Sequence, residues 1–434
     1  MASFSFRAGN AAKLARVPLY IAGRAATGLI PRTDRWVFGC AVGVADGALA
    51  LWKTAHAHGH DSVWLVASST EQQQAAQHGI RTVRKNSWAG WWATARAGVI
   101  VVTHGLGDVN RFGTGRGFIV QLWHGIPLKK IGLDSAVTVD VPILSRFRWA
   151  RAAMATLYRR TQAAIRILPA ASHRARGRLE SAFGLPYGRV VVTGEPRVDV
   201  LSAGSRDKRR TTAQKLLQRA VPQASQQRAR RVLYAPTWRD GQIDPAVPNA
   251  GEWQRIAAFF QQHDAQLFIR PHPLGRGDYE SALPLPGVHM LGSDAAPDVT
   301  VLLAAFDAVV TDYSSLLYDA GLLATPVVCF APDAETYAAT RGLYGTLAEV
   351  LAGREPARSW HDVLATLQTL WSEPSIEAEY ARDSAELSAH MHAFRDGKNT
   401  ERLYRVIVSR YGSAVQSPAR WLSSRRRLTA RGTA

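Results

Sequence analysis

Short β-branched apolar runs recur along this chain, each closing on polar or glycine-rich residues and each followed by a stretch whose apolar positions have helical spacing. Trp36 to Phe38, Ser62 to Ala67, Arg81 to Val83, Val99 to Thr103, Phe118 to Leu122 and Val190 to Thr193 read as strands in the first half. The run that starts at Arg231, then Leu267 to Ile269, Ala308 to Val310 and Pro326 to Phe330, read as strands in the second. Strands alternating with helices predict an α/β protein with parallel sheets. The unit from Ala308 to Phe330 is the most informative. Its first strand ends at Thr311-Asp312, and Ser314 and Ser315 open a helix with side chains suited to capping free amides. A helix start at the carboxyl end of a parallel strand gathers unpaired N–H groups and the positive end of the helix dipole, so it suits a phosphate. Plain capping is the alternative.

The pattern breaks in three places. Residues 1–32 mix Phe4, Phe6, Leu14, Leu19 and Tyr20 with Arg7, Lys13, Arg16 and Arg24, which fits an interfacial amphipathic segment or a surface helix. Between 141 and 170, Arg146, Arg148, Arg151, Arg159, Arg160 and Arg166 interleave with Phe147, Trp149, Leu157 and Tyr158 at helical spacing. A helix lying on anionic headgroups would look like this, and so would a basic solvated face. Residues 206–230 are polar, basic and Gln-rich apart from a short helical stretch around Leu216 and Leu217, and they mark a linker. The expected division is a first Rossmann-like unit at 33–205, a second at 231–405 and a basic tail at 406–434.

Composition supports two domains, because 434 residues, 47% of them hydrophobic, exceed one typical core. Lys and Arg number 53 against 34 Asp and Glu, a net charge of +19 that calls for an anionic partner: nucleic acid, a phosphate-rich substrate or an acidic membrane leaflet. Cys40 and Cys329 both lie in apolar runs, as buried thiols of a reducing compartment do. No run approaches the ~18 apolar residues of a spanning helix, and no continuous apolar core of a secretory signal is present near the start.

Candidate chemistry gathers at the strand ends. Phe118 to Leu122 runs into Trp123-His124-Gly125-Ile126-Pro127-Leu128-Lys129-Lys130. A His there, beside a Gly that lets a ligand approach the backbone and two lysines, has the ingredients of a general base in an anion-lined cleft. A lone His is more often structural; its neighbours reverse that reading. The run from Arg231 brings Thr237, Arg239 and Asp240 to its end, and Leu267 to Ile269 brings Arg270-Pro271-His272-Pro273, a loop stiffened by its prolines. With Thr311, Asp312, Ser314 and Ser315, three successive strand-to-helix junctions predict one convergent phosphate site.

Six stretches in order, QLWHGIPLKKIG from Gln121, GEPRVD from Gly194, LYAPTWRD from Leu233, RPHP from Arg270, TDYSS from Thr311 and DGKNTER from Asp396, resemble the motifs of the CDP-glycerol glycerophosphotransferase family. These are primases and polymerases of teichoic acids and similar capsule polymers. Ile126, Glu195 and Pro271 depart from the usual residues of that pattern. The resemblance implies a GT-B architecture, two Rossmann-like domains facing across a cleft, and a peripheral enzyme on the cytoplasmic face of the bacterial cell membrane. It implies transfer of a polyol phosphate, glycerol phosphate foremost, from a CDP-activated donor to a hydroxyl of a lipid-linked acceptor, with CMP leaving.

In that chemistry His124 is cast as the base, and His272, catalytic with it, as part of the pyrophosphate cradle. Thr237, Arg239, Arg270, Asp312, Ser314 and Ser315 are cast as the pyrophosphate cradle, with Lys129 and Lys398 as further charges. The transition state asks mainly for positioning and for neutralised charge on the transferring oxygens. No Asp-x-Asp occurs in the chain, so neither a required metal nor another cofactor is expected. Two alternatives remain: a GT-B glycosyltransferase using a nucleotide sugar, which would release a nucleoside diphosphate, and a nucleic-acid-binding protein, for which no recognisable motif organises the charge.

Overall fold

The computed structural model describes residues 22–23, 25–135, 138, 148–224, 230–239, 242–272, 274–275, 277–280 and 283–416. Most of the expected segment at 1–32, residues 141–147 of the basic-aromatic segment, Asp240, Pro273 and the tail beyond 416 lie outside the described residues.

Seven strands form the first sheet: β1 (Thr33–Phe38), β2 (Ser62–Val66), β3 (Thr82–Arg84), β4 (Ala97–Val102), β5 (Phe118–Gln121), β6 (Ile165–Ala170) and β7 (Val190–Val192), in the order β3-β2-β1-β4-β5-β6-β7. Five form the second: β8 (Arg230–Ala235), β9 (Ala265–Ile269), β10 (Val288–Met290), β11 (Ala308–Thr311) and β12 (Val327–Cys329), in the order β10-β9-β8-β11-β12. Every pairing between these strands is parallel. This is the expected pair of Rossmann-like units. In each sheet the chain walks outward from one strand and returns on its other side, so the order reverses between β1 and β4 and again between β8 and β11. Ligands of open parallel sheets sit at the carboxyl ends beside such a reversal. β4, buried along its whole length, is a continuous apolar run because helices cover both of its faces.

The helices that matter below are α1 (Asp46–Ala57), α2 (Arg148–Gln162), α3 (Arg206–Ala220), α4 (Leu316–Ala320) and α5 (Asn399–Gln416). One core packs Leu51 and Trp52 of α1 on Trp36, Phe38 and Trp64. The opposite face buries Val37, Ile100 and Ile119, and its cluster continues through Ile126 and Leu128 to Tyr313, Leu317, Tyr318 and Tyr337 of the second domain. Each such side chain contributes about 1.5–3 kcal/mol over exposure. An apolar floor therefore holds the two domains in register.

Three boundaries need correction. Residues 206–230 are not a bare linker: α3 buries Ala213 and Leu217 against Leu233 and Phe268, so it belongs to the second domain. The 231–405 domain and the 406–434 tail divide in the wrong place, because α5 places Leu403, Tyr404 and Ile407 in the core around Trp36 and Phe38. The chain thus crosses between domains twice. Finally, residues 165–170 of the basic-aromatic segment are strand β6, buried at Ile165, Ile167, Leu168 and Ala170, and unavailable to a surface. Arg166 and Pro169 interrupt the apolar run and hide the strand from pattern reading.

Candidate active site

β5 carries the first arm of the site. Trp123 and Gly125 both have positive φ, 63° and 144°, and these two unusual residues bracket His124. The imidazole of His124 is stacked: its centroid lies 4.0 Å from that of His104, the rings within 11° of parallel, and 4.1 Å from Trp123, tilted by 37°. Gly125 meets the opposite domain. A Cβ there would collide with Ser315 Oγ and sit 3.0 Å from Ser315 Cβ, so only glycine permits this approach. The chain then pairs Lys129 with Leu343, and Lys130 N–H donates to the Gly342 carbonyl at 3.0 Å, which stitches the lysine segment to the second domain.

β9 carries the second arm. Leu274 N–H donates to His272 Nδ1 at 3.1 Å, so the proton of the neutral ring is on Nε2. The ring stacks on Trp238 at 5.8 Å. Burial, then Lys129, Arg270 and His104, hold His272 down to about 3. Burial, then His104, Arg197, Lys129 and His272, push His124 well below the ordinary histidine value. Both rings are therefore neutral near pH 7. His124 offers a lone pair, His272 offers an N–H, and Lys129 acts electrostatically on both.

The expected cradle divides at this point. Ser315 is at the cleft, against Gly125. Ser314 Oγ accepts from Leu316 N–H at 3.2 Å. The helix they open is only α4, which passes into a single 3₁₀ turn at Gly321–Leu323. So short a helix has little dipole, and the anion-binding capacity there rests on amides and hydroxyls.

Arg239, Asp312 and Thr237 are bonded into one network with Asp333. Arg239 is buried; Nε and Nη2 bond the two oxygens of Asp333 at 2.7 and 2.8 Å, while Nη1 bonds Asp312 Oδ2 at 2.8 Å and the Thr237 carbonyl. Its guanidinium also lies over Tyr313 and Tyr337. Asp312 Oδ1 accepts from the N–H groups of Thr237 and Tyr313 at 2.8 and 2.7 Å. The loops after β8, β11 and β12 are tied together this way, and the fixed cation expected from Arg239 is spent on two carboxylates. Arg270 similarly donates to the carbonyls of Leu291, Gly292 and Pro297. Lys398 is exposed, on the turn before α5.

The family model for CDP-glycerol:poly(glycerophosphate) glycerophosphotransferases matches residues 36–409. The chain belongs to this family. It is 28% identical over 241 residues to the teichoic acid poly(glycerol phosphate) polymerase of Staphylococcus epidermidis, covering 54% of this chain and 31% of that one. It is 28% identical over 291 residues to the teichoic acid glycerol-phosphate transferase of Staphylococcus aureus, covering 64% of this chain and 68% of that one. The chain spans 31%, 42% and 38% of the length of three of the curated polymerases it matches. A structure of the wall teichoic acid polymerase TagF superposes with a TM-score of 0.72 at 18% identity, over 93% of this chain and 96% of that one. A UDP-GlcNAc 2-epimerase from Neisseria meningitidis shares the fold more distantly, with a TM-score of 0.51 at 13% identity, over 86% of this chain and 100% of that one.

Two of the six motifs bind each other. Asp199 accepts from the N–H groups of Asn399 and Thr400 at 2.9 and 2.8 Å and from the Thr400 hydroxyl at 2.6 Å. GEPRVD and DGKNTER thus form the double crossing between domains. Beside it stands a network the sequence reading missed. Arg197, from GEPRVD, bonds Glu195 Oε2 at 2.8 Å and forks onto Asp319 of α4 at 2.6 and 2.9 Å. His392 Nε2 is 3.8 Å from Asp319. Asp46, at the start of α1, is pushed up to about 7 by burial and by Asp298 across the cleft. His104 was missed as well; its place at the end of β4, beside the order reversal, was the available signal.

Proposed function

We propose that the protein transfers a polyol phosphate, glycerol phosphate foremost, from a CDP-activated donor to a hydroxyl of a lipid-linked acceptor or growing polymer, releasing CMP. One juxtaposition carries the reading: His124 with Lys129 from the first domain faces His272 from the second, where Gly125 admits Ser315. Family membership supports the donor class. The teichoic acid relatives support the acceptor class.

His124 takes the proton of the acceptor hydroxyl as its oxygen bonds to the β-phosphorus. The bond from that phosphorus to the bridging oxygen breaks, and the electron pair leaves on CMP. His272 Nε2–H and Lys129 face the charge that spreads over the transferring oxygens, and Ser315 adds a hydroxyl donor. In the free site His124 is a weak base because cations and burial oppose its protonation. A pyrophosphate between Lys129 and His272 reverses that field, so donor binding raises the basicity of His124 before the acceptor reacts.

No helix among the described residues is long and apolar enough to cross a membrane. A peripheral contact with the anionic leaflet through α2 fits the proposed acceptor: Trp149 is 63% exposed, and Arg151, Arg159 and Arg160 are exposed with it. The deciding experiment incubates the protein with CDP-glycerol, CDP-ribitol and a lipid-linked acceptor. CMP release supports the proposal, a nucleoside diphosphate from a nucleotide sugar rejects it, and persistence of activity in EDTA tests the expectation of no required metal.

A further inference from the structure

The residues that follow β4 form a hydrogen-bonded knot. Asp108 Oδ2 accepts from the N–H groups of Thr103 and His104 at 2.9 and 2.7 Å, and from the Thr103 hydroxyl at 3.1 Å. Thr103 Oγ1 also lies 2.8 Å from His104 Nδ1 and 3.3 Å from Cys40 Sγ. A hydroxyl has one proton, and the carboxylate is the strongest acceptor within its reach. The Thr103 proton therefore goes to Asp108, and its oxygen accepts Nδ1–H of His104, which assigns the proton of that ring to Nδ1. The ring so held lies face to face on His124, 4.0 Å away and within 11° of parallel.

We propose that His104 is a positioning residue for the phosphotransfer base: the Asp108–Thr103 relay fixes its tautomer and ring plane, and its stacked face holds His124 in the orientation that proton transfer requires. This rests on the reading of His124 as the base. The ring torsion of a histidine is broad and roughly two-fold, so a base without a stacking partner samples orientations whose lone pair misses the acceptor hydroxyl. The partner must also stay uncharged while His124 gains and loses a proton, since two imidazolium rings in contact repel. Burial holds His104 down to about 4, which meets that condition. Burial also pushes Asp108 up to about 6, against four hydrogen bonds that favour its anion. The other titratable neighbours are Cys40 just after β1, His272 on the loop after β9, and Lys129, which acts through His124 and His272.

Three variants separate the parts. His104→Ala removes the face, His104→Phe keeps an aromatic face without nitrogens, and Thr103→Val cuts the relay. In the CMP-release assay His104→Ala should lose roughly 10- to 100-fold in kcat with donor KM within about twofold, the pattern of a misoriented catalytic group. His104→Phe should recover most of that loss. Thr103→Val should fall between them. Ring ¹⁵N chemical shifts, read without turnover, should show His104 protonated on Nδ1 in the wild type and as a tautomer mixture in Thr103→Val. Wild-type kcat in His104→Ala, equal losses in the Ala and Phe variants, or an Nε2-protonated His104 in the wild type would each overturn the proposal. Should the wild type release no CMP from any CDP-polyol, the functional reading falls, and the ¹⁵N shifts still decide the relay.

Discussion

Replacing Arg197 by Met should destabilise the protein strongly and in a pH-dependent way. The Arg197 side chain is 6% exposed, with Glu195 at 3% and Asp319 at 1%, so its removal leaves two carboxylates buried without their cation. Breaking a buried pair by deleting one partner costs about 3–5 kcal/mol. At roughly 2–4 °C per kcal/mol for domains of this size, the melting temperature should fall by roughly 6–20 °C. The sign with pH follows from Glu195. Burial already holds it above the ordinary carboxylate range, against the pull of Arg197. Without Arg197 its folded pKa climbs further above its unfolded value. Such a group contributes stability that is present below the unfolded pKa and lost as pH rises toward the folded one, at about 1.4 kcal/mol per pH unit. The deficit against wild type should therefore widen from pH 5 to pH 8. Circular dichroism melts at pH 5, 6.5 and 8 measure it, and the triple variant Arg197→Met, Glu195→Gln, Asp319→Asn should recover much of the loss. A fall of under about 3 °C, or one independent of pH, would show that the network does not hold the domains together.

The remaining expectations concern the cleft and the membrane. His124→Ala should lower kcat by roughly 10²–10⁴ with donor affinity retained, whereas His272→Ala should weaken donor binding by about 1–3 kcal/mol; kinetics beside donor titration distinguish them. Gly125→Ala forces a side chain onto a φ of 144° and into Ser315, so it should cost about 1–3 kcal/mol of stability, and Ser315→Gly should restore only the part due to the contact. Donor binding should be accompanied by proton uptake below neutral pH, because an anion in the cleft raises the pKa of His124 and His272; calorimetry in buffers of different ionisation enthalpy detects it, and no uptake at pH 5–6 would refute the field-reversal argument. Binding to anionic vesicles should fall with salt and be abolished by Arg151→Glu with Arg159→Glu and Arg160→Glu, and vesicle binding indifferent to those changes would move the membrane contact off α2.

The sequence by itself determined the architecture and the positions at which chemistry could occur. Apolar runs of parallel strands are long-lived signals because both faces are covered, and their carboxyl ends are marked by the polar residues that follow. His124, His272 and Ser315 could be named as candidates for that reason. Only the tertiary structure decided which cations face the cleft and which are consumed inside it. Arg239 has the same local pattern as a phosphate ligand, yet its partner Asp333 is 94 residues away, and a guanidinium buries wherever two carboxylates can satisfy it. The same holds for Arg197 and Asp319, 122 residues apart, and for the return of α5 to the first domain. His104 had only its place after β4 as a local mark. Its role depends on a 4.0 Å stack with a residue on the neighbouring strand, and strand order is set by long-range packing that local sequence pattern does not encode.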